Sequence, residues 1–256
     1  MSARDVTQLA HLTTEEVRAR LGQGATVVLL PVGSVEPHGP HLPLGTDTFI
    51  SEAVARRAAE RLEPLGTRAW IAPSVSYGVT NYAQGFAGAV SVPPAALTAW
   101  LRAVVESFLA IDGISLVCLI NNHLEPAHDA AVRAAASGIA RAIVASPLER
   151  RWARTLSDEF KRGECHAGRY ETSIVLAHDA ALVDMERAHA LDDVHVSLSD
   201  KIKQGIDTFA AMGMRDAYSG SPRTATAPEG RDLVDRLAAM VETEVTEALQ
   251  RSTSPG

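Results

Sequence analysis

Two stretches of the chain are continuously apolar. Residues 26–32 read Thr-Val-Val-Leu-Leu-Pro-Val and residues 115–120 read Ser-Leu-Val-Cys-Leu-Ile. Runs without alternation predict strands buried on both faces, as in a parallel sheet. Shorter runs at 70–73 and 142–145 predict two more strands. Elsewhere apolar positions recur every three to four residues, predicting amphipathic helices over 47–62, from the Pro93-Pro94 pair to 109, over 126–140 and over 170–178. Thr13 with Glu16, and Thr226 with Glu229, have capping-box spacing, so helices should open there and run to about Gly22 and about Leu249. Residues 74–89 and 219–225 predict loops, and 252–256 a frayed tail. Strands alternating with helices predict a single α/β domain over 1–256, layered α/β/α around a mostly parallel sheet.

Composition narrows the functional classes. The chain has 256 residues and a formal charge of −7, which argues against general nucleic-acid affinity, because that depends on Lys and Arg neutralising phosphates. Two cysteines, Cys118 and Cys165, are too few for a disulfide framework. The first twelve residues include Arg4 and Asp5 and no long apolar stretch, so neither a signal peptide nor a membrane span is expected. The expectation is a cytoplasmic protein acting on a small molecule.

The chemistry concentrates just past the two strongest strands. Between Pro31 and Asp47 the chain carries Glu36 and His38, two residues apart, so extended backbone points both the same way. Asp47 opens the next helix; it can bridge two ions, or it can simply favour the helix dipole. The second cluster, Asn121-Asn122-His123-Leu124-Glu125, repeats the His and Glu pairing at the carboxyl end of a strand, where open α/β sheets bind ligands. Mixed nitrogen and oxygen donors suit zinc, manganese or iron. In a third segment, His166 is either an acid/base or an exposed loop residue, and Glu171 either anchors a ligand or sits in a first helical turn.

Taken together, Pro31 to Asp47, the His-Ala-Gly-x-x-Glu-Thr-Ser of His166 to Ser173 and the stretch from Gly220 to Gly230 resemble the creatininase family. The resemblance implies that Glu36, Asp47 and His123 hold one divalent ion and His38, Asp47 and Glu125 a second, with Asp47 bridging. It implies acid/base catalysis by His166 and a homo-oligomer, often a hexamer. Creatininase carries a tryptophan four residues before that histidine, as part of a lid; here the position is Arg162, which argues against creatinine as substrate. The loop after Tyr77-Gly78 lacks the histidine or glutamate of many relatives, and Tyr77, Tyr82 and Arg162 are candidate substrate contacts. Arg169 is either a contact or a surface residue, and Trp152 either a lid or a core residue.

The reaction implied is hydrolysis of a small amide or cyclic amide by water activated between two metals. The same site can hydrolyse a formamide, a lactone or a cyclic ketone. A metal-binding scaffold without turnover is the third reading, and the candidate acid/base beside the ligands argues against it.

Overall fold

The computed structural model describes residues 7–253. Strands β1 (Thr26–Val32), β2 (Arg68–Ile71), β3 (Ile114–Asn121) and β4 (Ala142–Ala145) form one sheet in the order β2-β1-β3-β4. All pairings are parallel. The helices are α1 (Thr14–Arg20), α2 (Thr46–Leu62), α3 (Pro94–Leu109), α4 (Pro126–Ala136), α5 (Arg150–Ala153), α6 (Asp158–Lys161), α7 (Arg169–His178), α8 (Met185–Ala190), α9 (Leu198–Lys203), α10 (Phe209–Met212) and α11 (Ala227–Thr253).

The two continuous apolar runs are the two central strands. Side chains alternate between the faces of a strand, so an apolar run supplies both at once. Val27, Leu29, Leu116, Cys118 and Ile120 pack on one face with Ile50 and Val54 of α2, Ile174 of α7 and Leu237 of α11. Val28, Leu30, Val117 and Leu119 pack on the other with Leu97 and Leu101 of α3 and Val132 of α4. Each such large side chain, fully buried, contributes about 1.5–3 kcal/mol. The layering is therefore α/β/α, as expected.

Several boundaries differ from the sequence reading. β2 begins at Arg68, whose N–H reaches Ala25 O at 2.9 Å, and Pro73 has no N–H with which to prolong the ladder. α4 stops at Ala136, four residues short of position 140, because Gly138 takes a left-handed conformation (φ +78°). The five helices α5, α6, α8, α9 and α10 are only four to six residues long, too short to show periodicity. The Thr13 capping box forms in full. At Thr226 only half of it does: the Thr226 N–H goes to Ser173 Oγ (3.0 Å), and the Glu229 carboxylate pairs with Arg169 (3.0 Å). α11 continues to Thr253, so positions 252 and 253 of the expected tail are helical; residues 254–256 of it, like 1–6 of the N-terminal stretch, lie outside the described residues. No described helix is long and apolar enough to cross a membrane.

Topology places the functional loops. From β1 the chain moves outward to β2, then returns past β1 to enter β3 and goes on to β4. The connections leaving β1 and β3 therefore diverge, opening a crevice between their carboxyl ends.

Candidate metal centre

Both sequence clusters converge in that crevice. Glu36, His38, Asp47, His123 and Glu125 are all buried, at 5% exposure or less. Asp47 lies in the first turn of α2, yet it does not cap it: Gly45 is the N-cap and makes no side-chain hydrogen bond. The carboxylate instead divides between two histidines, Oδ1 lying 3.1 Å from His38 Nε2 and Oδ2 2.9 Å from His123 Nδ1. Glu36 Oε1 stands 3.4 Å from His123 Nδ1 and 3.9 Å from His38 Nε2. Thr80 Oγ1 donates to Glu36 Oε2 and holds it there.

Backbone carbonyls choose the histidine tautomers. His38 Nδ1–H donates to Glu36 O (3.1 Å) and His123 Nε2–H to Val79 O (2.7 Å), so the opposite ring nitrogens face the carboxylates. A bare imidazole nitrogen 2.9 Å from a carboxylate oxygen is repelled unless a proton or cation lies between them. Burial by itself would lower the His38 pKa, but Asp47 above all, with Glu171 and Glu36, lifts it to about 10. His123 is raised by Glu36 and Asp47 in the same way against its burial. Asp47 Oδ2 and Glu125 Oε1 are buried and accept no hydrogen bond. Among the described residues, the ion pairs of Glu36, Asp47 and Glu171 are all to histidines. Imidazole nitrogens and carboxylate oxygens with no fixed cation beside them fit divalent metal ions.

Three helices aim their amino ends at this cluster. Asp47 is in the first turn of α2, Glu125 is the N-cap of α4 and Glu171 is in the first turn of α7. Each end carries roughly half a positive charge, which eases the burial of these carboxylates. Among the described residues three sets of side chains stand close enough to share a cation: Glu36 with His123 and Glu125, His38 with Asp47 and Glu171, and Glu36 with His38 and His166. Glu125 clusters with Glu36 and His123, while the oxygen that joins His38 and Asp47 belongs to Glu171, 3.6 Å from His38 Nε2. Backbone N–H groups explain this, because those of Tyr82 (3.1 Å) and Asn81 hold Glu125 toward the residue 79–82 loop.

His166 reaches the cluster from the turn before α7. Its Nε2–H donates to Pro37 O (3.0 Å), leaving Nδ1 3.7 Å from Glu36 Oε1, and the ring packs, tilted by 39° and 33°, against His38 and Phe209 at centroid distances of 4.4 and 4.3 Å. Burial, then the neighbouring His38 charge, lowers its pKa to about 4. The imidazole is therefore neutral at neutral pH, a proton acceptor at Nδ1. The exposed-loop alternative for His166 does not hold, since it is 6% exposed.

A cavity of about 610 Å³ leads to the cluster. Tyr82, Leu124, Phe160, Leu198, Ile202 and Phe209 give it apolar walls, and Lys161 and Lys203 stand among its lining. Tyr82 is thus at the site. Tyr77 is not: it is 57% exposed in a separate apolar cleft along α3 with Trp100 and Phe108. The residue that matters structurally in that pair is Gly78, where a Cβ would lie 2.5 Å from the His128 ring. Arg162 is also outside the lining, its half-exposed guanidinium drawn to Glu164 (3.0 Å). Arg169 pairs with Glu229, and Trp152 Nε1 donates to Glu244 (2.7 Å) with Arg151 over its ring, so neither lines the cavity. The sequence reading missed Thr80, His128 and Phe209. Thr80 lies in a loop already marked by its missing His or Glu, and His128 falls three residues after Glu125; Phe209 carries no local signal.

These features define a parallel α/β protein with a buried carboxylate–histidine cluster, suited to divalent cations, at its switch point. A family model for creatininase, creatinine amidohydrolase, matches residues 10–245, and the chain belongs to the creatininase family of hydrolases. The mycofactocin precursor peptide peptidase of Mycobacterium tuberculosis (strain CDC 1551 / Oshkosh) is 35% identical over 222 residues, 84% of this chain and 81% of that one. The creatinine amidohydrolase of Pseudomonas putida is 32% identical over 122 residues, 46% of this chain and 45% of its own. The solved structure named "Creatininase Mn" aligns with a TM-score of 0.73 at 23% identity, over 96% of this chain and 99% of that one, a likeness of fold.

Proposed function

We propose that this chain is a metal-dependent amidohydrolase that cleaves the carbon–nitrogen bond of an amide in its apolar cavity. The observation that carries the reading is Asp47, whose two oxygens each face a different histidine nitrogen left bare by a backbone acceptor. On this reading Glu36, Asp47 and His123 hold one ion, with Glu125 beside it, and His38, Asp47 and Glu171 hold the other. Two divalent ions bound there, zinc, manganese or iron, supply Lewis acidity that polarises a carbonyl and brings the pKa of water toward neutrality. His166 Nδ1 takes up the proton released as water attacks and delivers it to the departing nitrogen, a contribution of about 10²- to 10⁴-fold. Tyr82, Phe160 and Phe209 exclude bulk water and hold the apolar part of the substrate.

The cavity and the relatives shape the choice of amide. A volume near 610 Å³ exceeds what one small ring fills, and the M. tuberculosis relative is named as a peptidase acting on a precursor peptide. Amides in short apolar peptides therefore join cyclic amides as candidate substrates. A homo-oligomer in the cytoplasm completes the proposal, and light scattering of the purified protein reads its mass. The deciding experiment is a hydrolysis panel of cyclic amides, formamides, lactones, cyclic ketones and short apolar peptides against protein reconstituted with zinc, manganese or iron. Release of a new amine, metal-dependent and abolished by a chelator, is expected; hydrolysis confined to ketones or lactones would overturn the amide reading.

A further inference from the structure

Glu159 is a buried carboxylate that the proposed chemistry does not use. It sits on α6 at 3% exposure, and its burial pushes its pKa up against three backbone N–H donors. Oε1 accepts the N–H of Tyr170 (2.8 Å) and Oε2 that of Ser221 (2.8 Å); the N–H of Arg169 also bonds to the carboxylate. The surrounding backbone is shaped to admit it. A Cβ on Gly168 would lie 2.6 Å from Oε1, and one on Gly220, itself at φ +117°, 2.5 Å from Oε2.

The segments joined by this carboxylate are the two that hold His166. The His166 carbonyl accepts the Ser219 N–H (2.7 Å) in an antiparallel bridge, Ser219 stands two residues before Ser221, and Arg169 and Tyr170 follow His166 by three and four. Ala167 between them is held at φ +51°, a conformation disfavoured for alanine that persists only where neighbours impose it. Glu159 thus binds both sides of the bridge from behind, while the next residues of α6, Phe160 and Lys161, line the cavity.

We infer that Glu159 is a positioning residue for His166: by accepting N–H groups from the start of α7 and from Ser221, it fixes the backbone turn that aims Nε2–H at Pro37 O and Nδ1 into the site. This rests on the reading of His166 as the proton carrier. Glutamine at 159 keeps the size but turns an NH₂ toward an N–H donor, so at least one of the two anchored segments is released.

The test uses zinc-reconstituted, ¹⁵N-labelled protein and long-range ¹H–¹⁵N spectra of the histidine rings. In the wild type His166 should show the neutral Nε2–H tautomer. In Glu159→Gln its nitrogen shifts should move toward the tautomer average and its ring N–H should exchange at least tenfold faster, with zinc content and the His38 and His123 signals unchanged. An unaltered His166 spectrum, or all three rings changing together, would overturn the inference. If Glu159→Gln does not fold, Glu159→Asp, which keeps the charge, is held to the same criteria; failure of both to fold would make the residue purely structural and also overturn it. On an amide identified by the panel, Glu159→Gln should lower kcat at least tenfold with KM within twofold, and should add no further loss in a His166→Ala background. Additive losses would contradict the inference. The altered His166 spectrum without turnover of any amide sinks the proposed function and leaves the positioning role standing.

Discussion

Replacing Asp47 with Ala removes the carboxylate that stands nearest to both His38 and His123. It deletes the contacts at 3.1 Å to His38 Nε2 and 2.9 Å to His123 Nδ1 together, and neither histidine has a second contact as short among these carboxylates. The electrostatic scale follows from His38: the rise from 6.5 to about 10 corresponds to about 5 kcal/mol favouring a positive charge at that nitrogen, after burial has opposed it. Asp47 is the largest favourable contributor, so a cation placed there loses its largest single source of attraction. Elemental analysis should find two ions per wild-type chain and fewer than one in the variant. Thermal unfolding gives a second reading. Zinc at 100 times its Kd stabilises the native state by about 2.7 kcal/mol by mass action, and at about 2–4 °C per kcal/mol in a chain of this size the wild-type Tm should rise by roughly 5–10 °C. The variant should show almost none of that rise. Two ions retained per chain, with the full rise in Tm, would falsify the bridging assignment.

Three further outcomes are expected. His166→Ala should keep its metal content and lose turnover by about 10²- to 10⁴-fold; full activity on the true substrate would rule out its role in proton transfer. Arg162→Ala should leave KM and kcat within about twofold, because its guanidinium is half exposed and turned to Glu164; a tenfold rise in KM would show that it reaches the substrate. His41 is buried against Thr172 Oγ1 (2.9 Å), with its pKa lowered by burial to about 4. Its depressed value means the unfolded chain binds a proton below pH 6.5 and the folded one does not until about pH 4, so stability present above 6.5 is lost on acidification. Between pH 8 and pH 5 this loss is about 2 kcal/mol, and urea unfolding of His41→Gln should show a pH dependence shallower by that amount. Equal slopes for the two proteins would mean that His41 binds its proton as readily in the fold as in the unfolded chain.

Much of the centre was readable because its parts are local. Apolar runs at 26–32 and 115–120 fill both faces of a sheet, which makes them its central strands, and the polar clusters that follow them fall at strand ends where ligands bind. Glu36, His38, Asp47, His123 and Glu125 could be named from two short segments for that reason. Tyr77 and Arg162 have only their position along the chain to mark them, and the structure turns one toward another cleft and pairs the other with Glu164.

By itself, then, the amino-acid order determined the layered fold, the two segments that bring ligands and the residue types available to hold a cation, since these depend on apolar patterning and near neighbours. Only the tertiary structure decided which carboxylate stands beside which histidine, which ring nitrogen is free, and that Thr80, Phe209 and Glu159 surround them. His166 and Pro37 are 129 positions apart in the chain, and Thr80 and Glu36 are 44 apart. Hydrogen bonds and desolvation act over a few ångströms of space, so they are set by where the folded backbone brings distant residues, which no spacing along the chain encodes.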